Sequence, residues 1–352
     1  MWQAPFKANE CALPPDAARE QEYVAGKAMR IGTRKSVMAL AQTNEIARQL
    51  TAADPSLAVE IVKFETMGDQ DQTGKLLDLD GKGGAFVAQI RDAVREGRLE
   101  AAMHSLKDMP GNEDTPGLVI GAMLVRDPPT DALVVRKGVT LDELRRSRGK
   151  GFKIGTNAVR RAAYVRRLFP ECEVIHFRGA ADTRIRKLDG REMQRLPDGG
   201  EVGPADALVM ARAGLERVGF ADRIVHQFSP DEMLPAAGQG IVAVECAAGD
   251  WQTLAHLAGI DNAVSRQCGE AEREVLWVLN GHCNSPIAGY ATVNGNEISL
   301  KAAVLDEANN RFIEVTRRGS VGRPRELGRA VAFDLLEKGA ADVIARTRPL
   351  SH

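Results

Sequence analysis

Three segments hold most of the residues whose types and spacing could do chemistry. In AAMHSLKDMPG an apolar strand end delivers His104, Ser105, Lys107 and Asp108 into a turn closed by Pro110, the place where α/β folds carry reactive groups. An Asp before a turn is most often a turn-former. Asp108 would be the one acid in a cleft of cations, where a carboxylate can stabilise a developing positive charge or pass a proton. In FKIGTNAVRRAAYVRRLFPECEVIHFRGAADTRIRKLD a strand runs through Gly155, Thr156 and Asn157 into a helix. Free backbone N–H groups and the positive helix end then point at whatever lies above the strand, the outline of an anion site. Arg160 and Arg161 fall in the first helical turn, where the macrodipole disfavours cations by roughly a few tenths of a kcal/mol unless an anion is present. Arg178 ends the next strand and Arg184 opens the next helix, so both project to the same edge, while Arg166 and Arg167 read as solvated. The third segment, MRIGTRKSVMALAQ, repeats the arrangement with Arg34, Lys35 and Ser36 as N-cap. Facing basic units of this kind suit a ligand with several carboxylates or phosphates, which guanidinium forks match bidentately. In LDLDGKGGAFV, Gly81, Gly83 and Gly84 surround Lys82, either as a plain flexible turn or as a loop that brings the lysine over the ligand.

The elements that must position these groups alternate. VEIVKF, GLVIGAML, DALVVRK, FKIG, EVIHF, DALVMA and GIVAVEC read as strands, several apolar enough to be covered on both faces. Between them, 36–50 reads as a helix with Val37, Leu40, Ala41, Ala47 and Leu50 near helical spacing, and 85–94 as another with Phe86, Val87, Ile90 and Val94 on one face. The pattern predicts two doubly wound α/β domains. The last hundred or so residues change character: two helices, then IAGYATV, EISLKAAV and RFIEVTRRG as an antiparallel meander with a type I′ turn at Asn294-Gly295, then a helix at 323–337 facing inward with Leu327, Val331, Leu335 and Leu336. This is a smaller α+β domain with a three-stranded sheet. The boundaries expected are a loose extension at 1–28, a first domain of 29–125 plus 236–249, a second of 126–235 and a third of 250–352, with 190–204 as a surface loop.

Composition narrows the class. The 352 residues carry 47 basic and 48 acidic side chains, a formal net charge of −1 and 44% hydrophobic residues, which argues against disordered, fibrous or nucleic-acid-attracting chains. No apolar run is long enough to cross a bilayer, and residues 1–28 fit neither a secretory signal nor a transit peptide. The five cysteines, Cys11, Cys172, Cys246, Cys268 and Cys283, are scattered with no C-x-x-C pair, so no disulfide framework or zinc site is expected and a reducing cytoplasm is the default. A small buried hydrophobe is the ordinary state of any one of them.

With these residues laid out, the sequence resembles the porphobilinogen deaminase family over about residues 29–347. Six motifs carry the resemblance, in the family's order: RIGTRKSVMALAQ, MHSLKDMP, GTNAVRRAAYVRR, FRGAADTRIRKLD, LPAAGQGIVAVEC and GEAEREVLWVLNGHCNSPIAGYA. It implies a monomer of three domains, the first two like those of periplasmic binding proteins, carrying a dipyrromethane cofactor in thioether linkage to Cys283. Four porphobilinogen units would be added head to tail with loss of ammonia, and the linear tetrapyrrole released by hydrolysis. By the same resemblance Asp108 is catalytic, Lys107, Thr156, Arg160, Arg161, Arg184 and Gly240 bind the cofactor, and Arg34, Ser36, Lys82 and Arg178 bind substrate; no metal, membrane or nucleic-acid partner is implied. The chain departs from the family at Asn157 and Ala158, where two serines are usual, at Ala180 in place of Asn, and at His282 in place of Gly. Two other readings stand beside this one: a non-catalytic two-lobed anion-binding protein, which would need neither Asp108 nor Cys283, and a degenerate homologue that folds without turnover.

Overall fold

The computed structural model describes residues 28–64, 84–196, 199–282, 285–306 and 311–346. The expected extension, apart from its last residue, lies outside these, as do Lys82 and Cys283.

The first of three units is a five-stranded sheet in the order β2-β1-β3-β12-β4. Its strands are β1 (Met29–Arg34), β2 (Val59–Phe64), β3 (Ala101–Ser105), β4 (Leu118–Met123) and β12 (Val242–Ala247), with β1 parallel to β2 and β3, and β12 antiparallel to β3 and β4. Helices α1 (Val37–Ala53) and α2 (Gly84–Arg95) connect the early strands. Ser36 caps α1 by accepting the Ala39 N–H at 3.3 Å. The helix buries Ala39, Gln42, Thr43, Ile46 and Leu50, a face rotated from the one expected, with Val37 left 59% exposed. The polar members of that face are bonded, Thr43 to the Ala39 carbonyl at 2.8 Å and Gln42 to Ser105 at 3.2 Å, which removes the cost of burying them. At Gly32 a Cβ would come within 2.4 Å of the Leu99 side chain, so glycine leaves the room in which that residue and Ile90 of α2 close over β1.

The second unit is a sheet in the order β11-β5-β10-β6-β7, built from β5 (Asp131–Val135), β6 (Lys153–Gly155), β7 (Glu173–Ile175), β10 (Ala207–Ala211) and β11 (Ile224–Gln227). It carries helices α3 (Leu141–Arg146), α4 (Val159–Leu168), α5 (Ala181–Asp189) and α6 (Arg212–Arg217). β10, β6 and β7 run parallel, and β5 runs against β10. The expected loop at 190–204 contains a two-stranded ribbon, β8 (Gln194–Arg195) with β9 (Glu201–Val202).

The third unit is the meander β13 (Ile287–Asn294), β14 (Glu297–Asp306) and β15 (Arg311–Ser320). Both faces of its sheet are covered, and the period-2 alternation of strands divides the side chains. Ile287, Ala291, Ile298, Leu300, Ala302 and Val304 face helices α8 (Ala263–Val278), α9 (Pro324–Glu337) and α10 (Ala340–Arg346). Ala288, Ala303 and Leu305 face Tyr164, Phe169 and Met233 of the second unit. The hairpin differs from the expected type I′ turn: β13 runs through Asn294, which pairs with Glu297, so Gly295 and Asn296 are the central residues. Only Gly295 has a positive φ, 59°, the pattern of a type II′ turn with glycine first.

The boundary expected at 250 also moves. Helix α7 (Trp251–Ala258) packs Leu254 and Leu257, with Ile260 just beyond, against Val244 and Cys246 of β12. The apolar face of that helix therefore lies in the core of the first unit.

Candidate active site

Asp108 sits where the sequence places it. Strand β3 is buried through His104 and ends in a 3₁₀ turn, Leu106–Asp108, pinned by fully buried Leu106, whose N–H donates to the Ile241 carbonyl at 2.9 Å. Asp108 is exposed and Lys107 half-buried. His104 and Ser105, expected to enter the same turn, point elsewhere. Ser105 bonds Gln42, and His104 lies 3.3 Å from Glu245, itself held bidentately by Arg91 at 2.8 and 3.0 Å. Burial would raise the Glu245 carboxyl, but His104 and Arg91 outweigh it and bring it down to about 2.

The second basic segment is more tightly built than its sequence implies. Thr156 is buried and its hydroxyl accepts the Ala158 N–H at 3.2 Å. Ala158 opens α4 with no side-chain cap. Arg160 and Arg161, only 4% and 7% exposed, turn inward onto Asp131, the first residue of β5. Arg160 donates to Oδ2 at 2.6 Å and to the Leu234 carbonyl at 2.6 Å; Arg161 donates to Oδ1 through Nε and Nη2 at 3.0 and 2.8 Å. Burial works against the Asp131 carboxylate, yet the two guanidinium groups hold it well below the usual carboxylate range. Gln239 extends the cluster: its amide donates to the Pro129 carbonyl at 2.6 Å and Asp131 at 3.0 Å, and its Oε1 accepts from Arg161 at 3.4 Å and Lys107 Nζ at 3.3 Å. Lys107 of the first unit is thus joined to the arginine cluster of the second. Burial, with help from Arg160 and Arg161 and against the pull of Asp108 and Asp131, brings its ammonium down to about 8.

Two other arginines are differently placed. Arg178 follows β7, and its N–H donates to Gln194 at 3.2 Å. Among the described residues its guanidinium has no hydrogen-bond or ion-pair partner. Arg184, in the first turn of α5, has its Nε enclosed without a partner, and burial together with the charge of Arg161 lowers it to about 10. Ala180 opens α5, again with no side-chain cap. Arg34 ends β1 and Ser36 caps α1, at the same carboxyl end of the first sheet as Asp108. Gly240 has a backbone reason of its own: φ is 88°, and a Cβ would lie 2.4 Å from the Asp127 carbonyl oxygen where the two connecting strands cross.

Sequence reasoning missed Asp131, Gln239 and a joint beneath them. There Arg126 donates to Glu272 at 2.5 and 3.1 Å and to the Gln239 carbonyl at 2.8 Å, and Glu272 also accepts the N–H groups of Gly238 at 2.6 Å and Ala291 at 2.7 Å. One carboxylate of the third unit thereby holds both segments that connect the first and second. The available signal was an acid opening the otherwise apolar TDALVV. On either side of Cys283, the His282 N–H donates to Ser285 Oγ at 2.9 Å and the Ser285 N–H to the His282 carbonyl at 2.9 Å.

Cations outnumber carboxylates at this edge, two helix N-termini lack side-chain caps, and an enclosed guanidinium Nε lacks an acceptor. Such a surface suits carboxylates or phosphates. Two family models match the chain: "Porphobilinogen deaminase, dipyromethane cofactor binding domain" over residues 29–255 and "Porphobilinogen deaminase, C-terminal domain" over residues 266–337. The chain belongs to the porphobilinogen deaminase family. It is 38% identical to the porphobilinogen deaminase of Stenotrophomonas maltophilia strain K279a over 316 residues, 90% of this chain and 98% of that one. The porphobilinogen deaminase of Xanthomonas campestris strain B100 is also 38% identical, over 317 residues with the same coverage. Among solved structures it is similar to the BvgS VFT2 domain of Bordetella pertussis (15% identity, 70% of this chain and 93% of that one, TM-score 0.38). The family's dipyrromethane cofactor is a polyanion that suits this edge. Among the described residues no His, Cys, Asp and Glu cluster could hold a metal, and no helix is long and apolar enough to cross a membrane.

Proposed function

We propose that this chain is a hydroxymethylbilane synthase, a transferase that joins four porphobilinogen molecules head to tail with release of ammonia and then hydrolyses off the linear tetrapyrrole. The observation that carries the reading is the pairing of one exposed carboxylate, Asp108, with a cationic edge that has unused donor capacity at Arg178 and Arg184. Each porphobilinogen brings an acetate and a propionate, so the ligand's charge grows with every addition and needs countercharges of this kind.

The residues divide the work. Arg178, Arg184, Arg34 and the N–H groups in the first turns of α4 and α5 bind and orient carboxylates, with Lys82 and Ser36 assisting. Thr156 shapes the entry to α4, while Arg160 and Arg161, fixed by Asp131, supply positive potential from beneath. Asp108 accepts hydrogen bonds from pyrrole N–H groups and stabilises the positive charge that develops as the carbon–nitrogen bond to ammonia breaks. Lys107, brought down to about 8, can exchange a proton near neutral pH. When bound through Cys283, the dipyrromethane supplies the free pyrrole carbon to which the first incoming unit is joined. The near balance of 47 basic and 48 acidic residues gives no electrostatic reason for a nucleic-acid partner, and the reading places the chain in the cytoplasm as a monomer.

Incubation with porphobilinogen tests this. One tetrapyrrole and four ammonia molecules should appear for every four molecules consumed. Binding of porphobilinogen with no ammonia release would instead favour a two-lobed binding protein.

A further inference from the structure

Helix α8 and the residues just beyond it reach across to the segment after Asp108 at three points. Arg273 donates to the Pro110 carbonyl at 2.9 Å and, more weakly, to the Met109 carbonyl at 3.5 Å. Gly111 lies so close to the helix that a Cβ there would come within 2.6 Å of Leu276 Cβ. Asn112 donates to the side chain of Asn280 at 2.7 Å.

Burial and the nearby charge of Arg91 bring Arg273 down to about 10, so its placement has a cost. The Glu245 carboxylate offsets only part of that cost, and the guanidinium donors go to main-chain carbonyls of the turn. Asn280 sits at φ 51°, a left-handed conformation that Asn tolerates better than most residues. That conformation ends the helix, with the Gly281 N–H returning to the Leu276 carbonyl at 2.7 Å. Three residues beyond Asn280 the chain reaches Cys283.

We propose that Arg273 and Asn280 are positioning residues for the reaction: they hold the turn carrying Asp108 against the C-terminal end of α8, so that the carboxylate keeps one place relative to the third unit. This rests on the role given above to Asp108. Reacting groups need placement to within about 0.5 Å, and the segment after Asp108 is a short irregular one that the sheet alone does not fix. The clamp joins it to the third unit through main-chain carbonyls, one glycine contact and one amide pair.

The test uses the full chain with its cofactor loaded and the loading verified by mass. Asn280→Gly keeps the left-handed backbone and deletes the amide; Asn112→Ala deletes the other half of the pair; Arg273→Met keeps bulk without donors, and Arg273→Lys restores one. Expected for loaded Asn280→Gly, Asn112→Ala and Arg273→Met is a fall in kcat of about 10-fold or more with KM within about twofold, since misplacement of about 1 Å can cost 10²-fold. The Asn112→Ala/Asn280→Gly double variant should be no worse than the poorer single, because both remove one interaction, and Arg273→Lys should recover part of the loss. Loaded variants whose melting temperature drops while kcat stays within about twofold would show a structural clamp only and overturn the proposal, as would a change confined to KM. Asp108→Ala in the same assay separates the two levels. If it turns over normally, the role of Asp108 itself is wrong; if it is inactive while the clamp variants match wild type, only the positioning inference falls.

Discussion

Asp131→Asn is the most telling perturbation of the frame beneath the site. Asp131 is 0% exposed and accepts from two guanidinium groups that are 4% and 7% exposed, so its removal leaves two buried cations facing a neutral amide. Breaking a buried pair by removing one partner costs about 3–5 kcal/mol, because the surviving charge is left uncompensated. With a urea slope of about 3 kcal/mol/M, the unfolding midpoint should fall by about 1 M or more. The pH dependence has a definite sign. The folded carboxyl lies below its ordinary value of 3.8, so its stabilisation is fully present above that value and is lost as pH falls through the folded value. Wild type should therefore lose stability from below about pH 4, and Asp131→Asn should lack that part of the acid limb. Urea titrations at several pH values, followed by tryptophan fluorescence, provide the assay. A midpoint within about 0.3 M of wild type, or an unchanged acid limb, would refute the claim that Asp131 is the charge partner of Arg160 and Arg161.

Other outcomes follow from single observations. Asp108→Ala should abolish turnover while stability changes by no more than about 0.5 kcal/mol, since the side chain is exposed; circular dichroism and ammonia release check the two halves. Arg184→Leu or Arg178→Leu should lower elongation about 10- to 100-fold, the loss of one charged hydrogen bond of about 1.5–3 kcal/mol, measured as kcat/KM for porphobilinogen. With Lys107 lowered from 10.5 to about 8, the rate should show a limb near pH 8 that disappears in Lys107→Met. Ala158→Ser should supply the missing cap of α4 and stabilise by about 1 kcal/mol, seen as a rise of about 2 °C in melting temperature.

The parts of the molecule that follow local rules were legible in the sequence. The alternation of IAGYATV and EISLKAAV marked a sheet, and the structure adds that both faces are covered, by α8, α9 and α10 on one side and the second unit on the other. A one-residue shift of the hairpin was not legible, because Asn294-Gly295-Asn296 offers two adjacent turn placements and pairing of Asn294 with Glu297 selects one. The buried face of α1 was misassigned because Gln42 and Thr43 read as surface residues, and only their partners Ser105 and Ala39 make them fit for burial. Asp131 illustrates the deeper limit. It opens β5, which runs against β10, so its start lies at the carboxyl end of β6, beside Arg160 and Arg161. No local pattern states strand direction, so the sequence offers the arginines as open countercharges and hides the carboxylate that holds them.

Under the proposed function Cys283 anchors a dipyrromethane primer, whose carboxylates the cationic edge binds. The most direct test is the intact mass of the purified chain, followed by peptide mapping around Cys283. An added mass of two linked pyrrole units on that thiol is the expected result, and a bare thiol, unchanged after incubation with porphobilinogen, would contradict it.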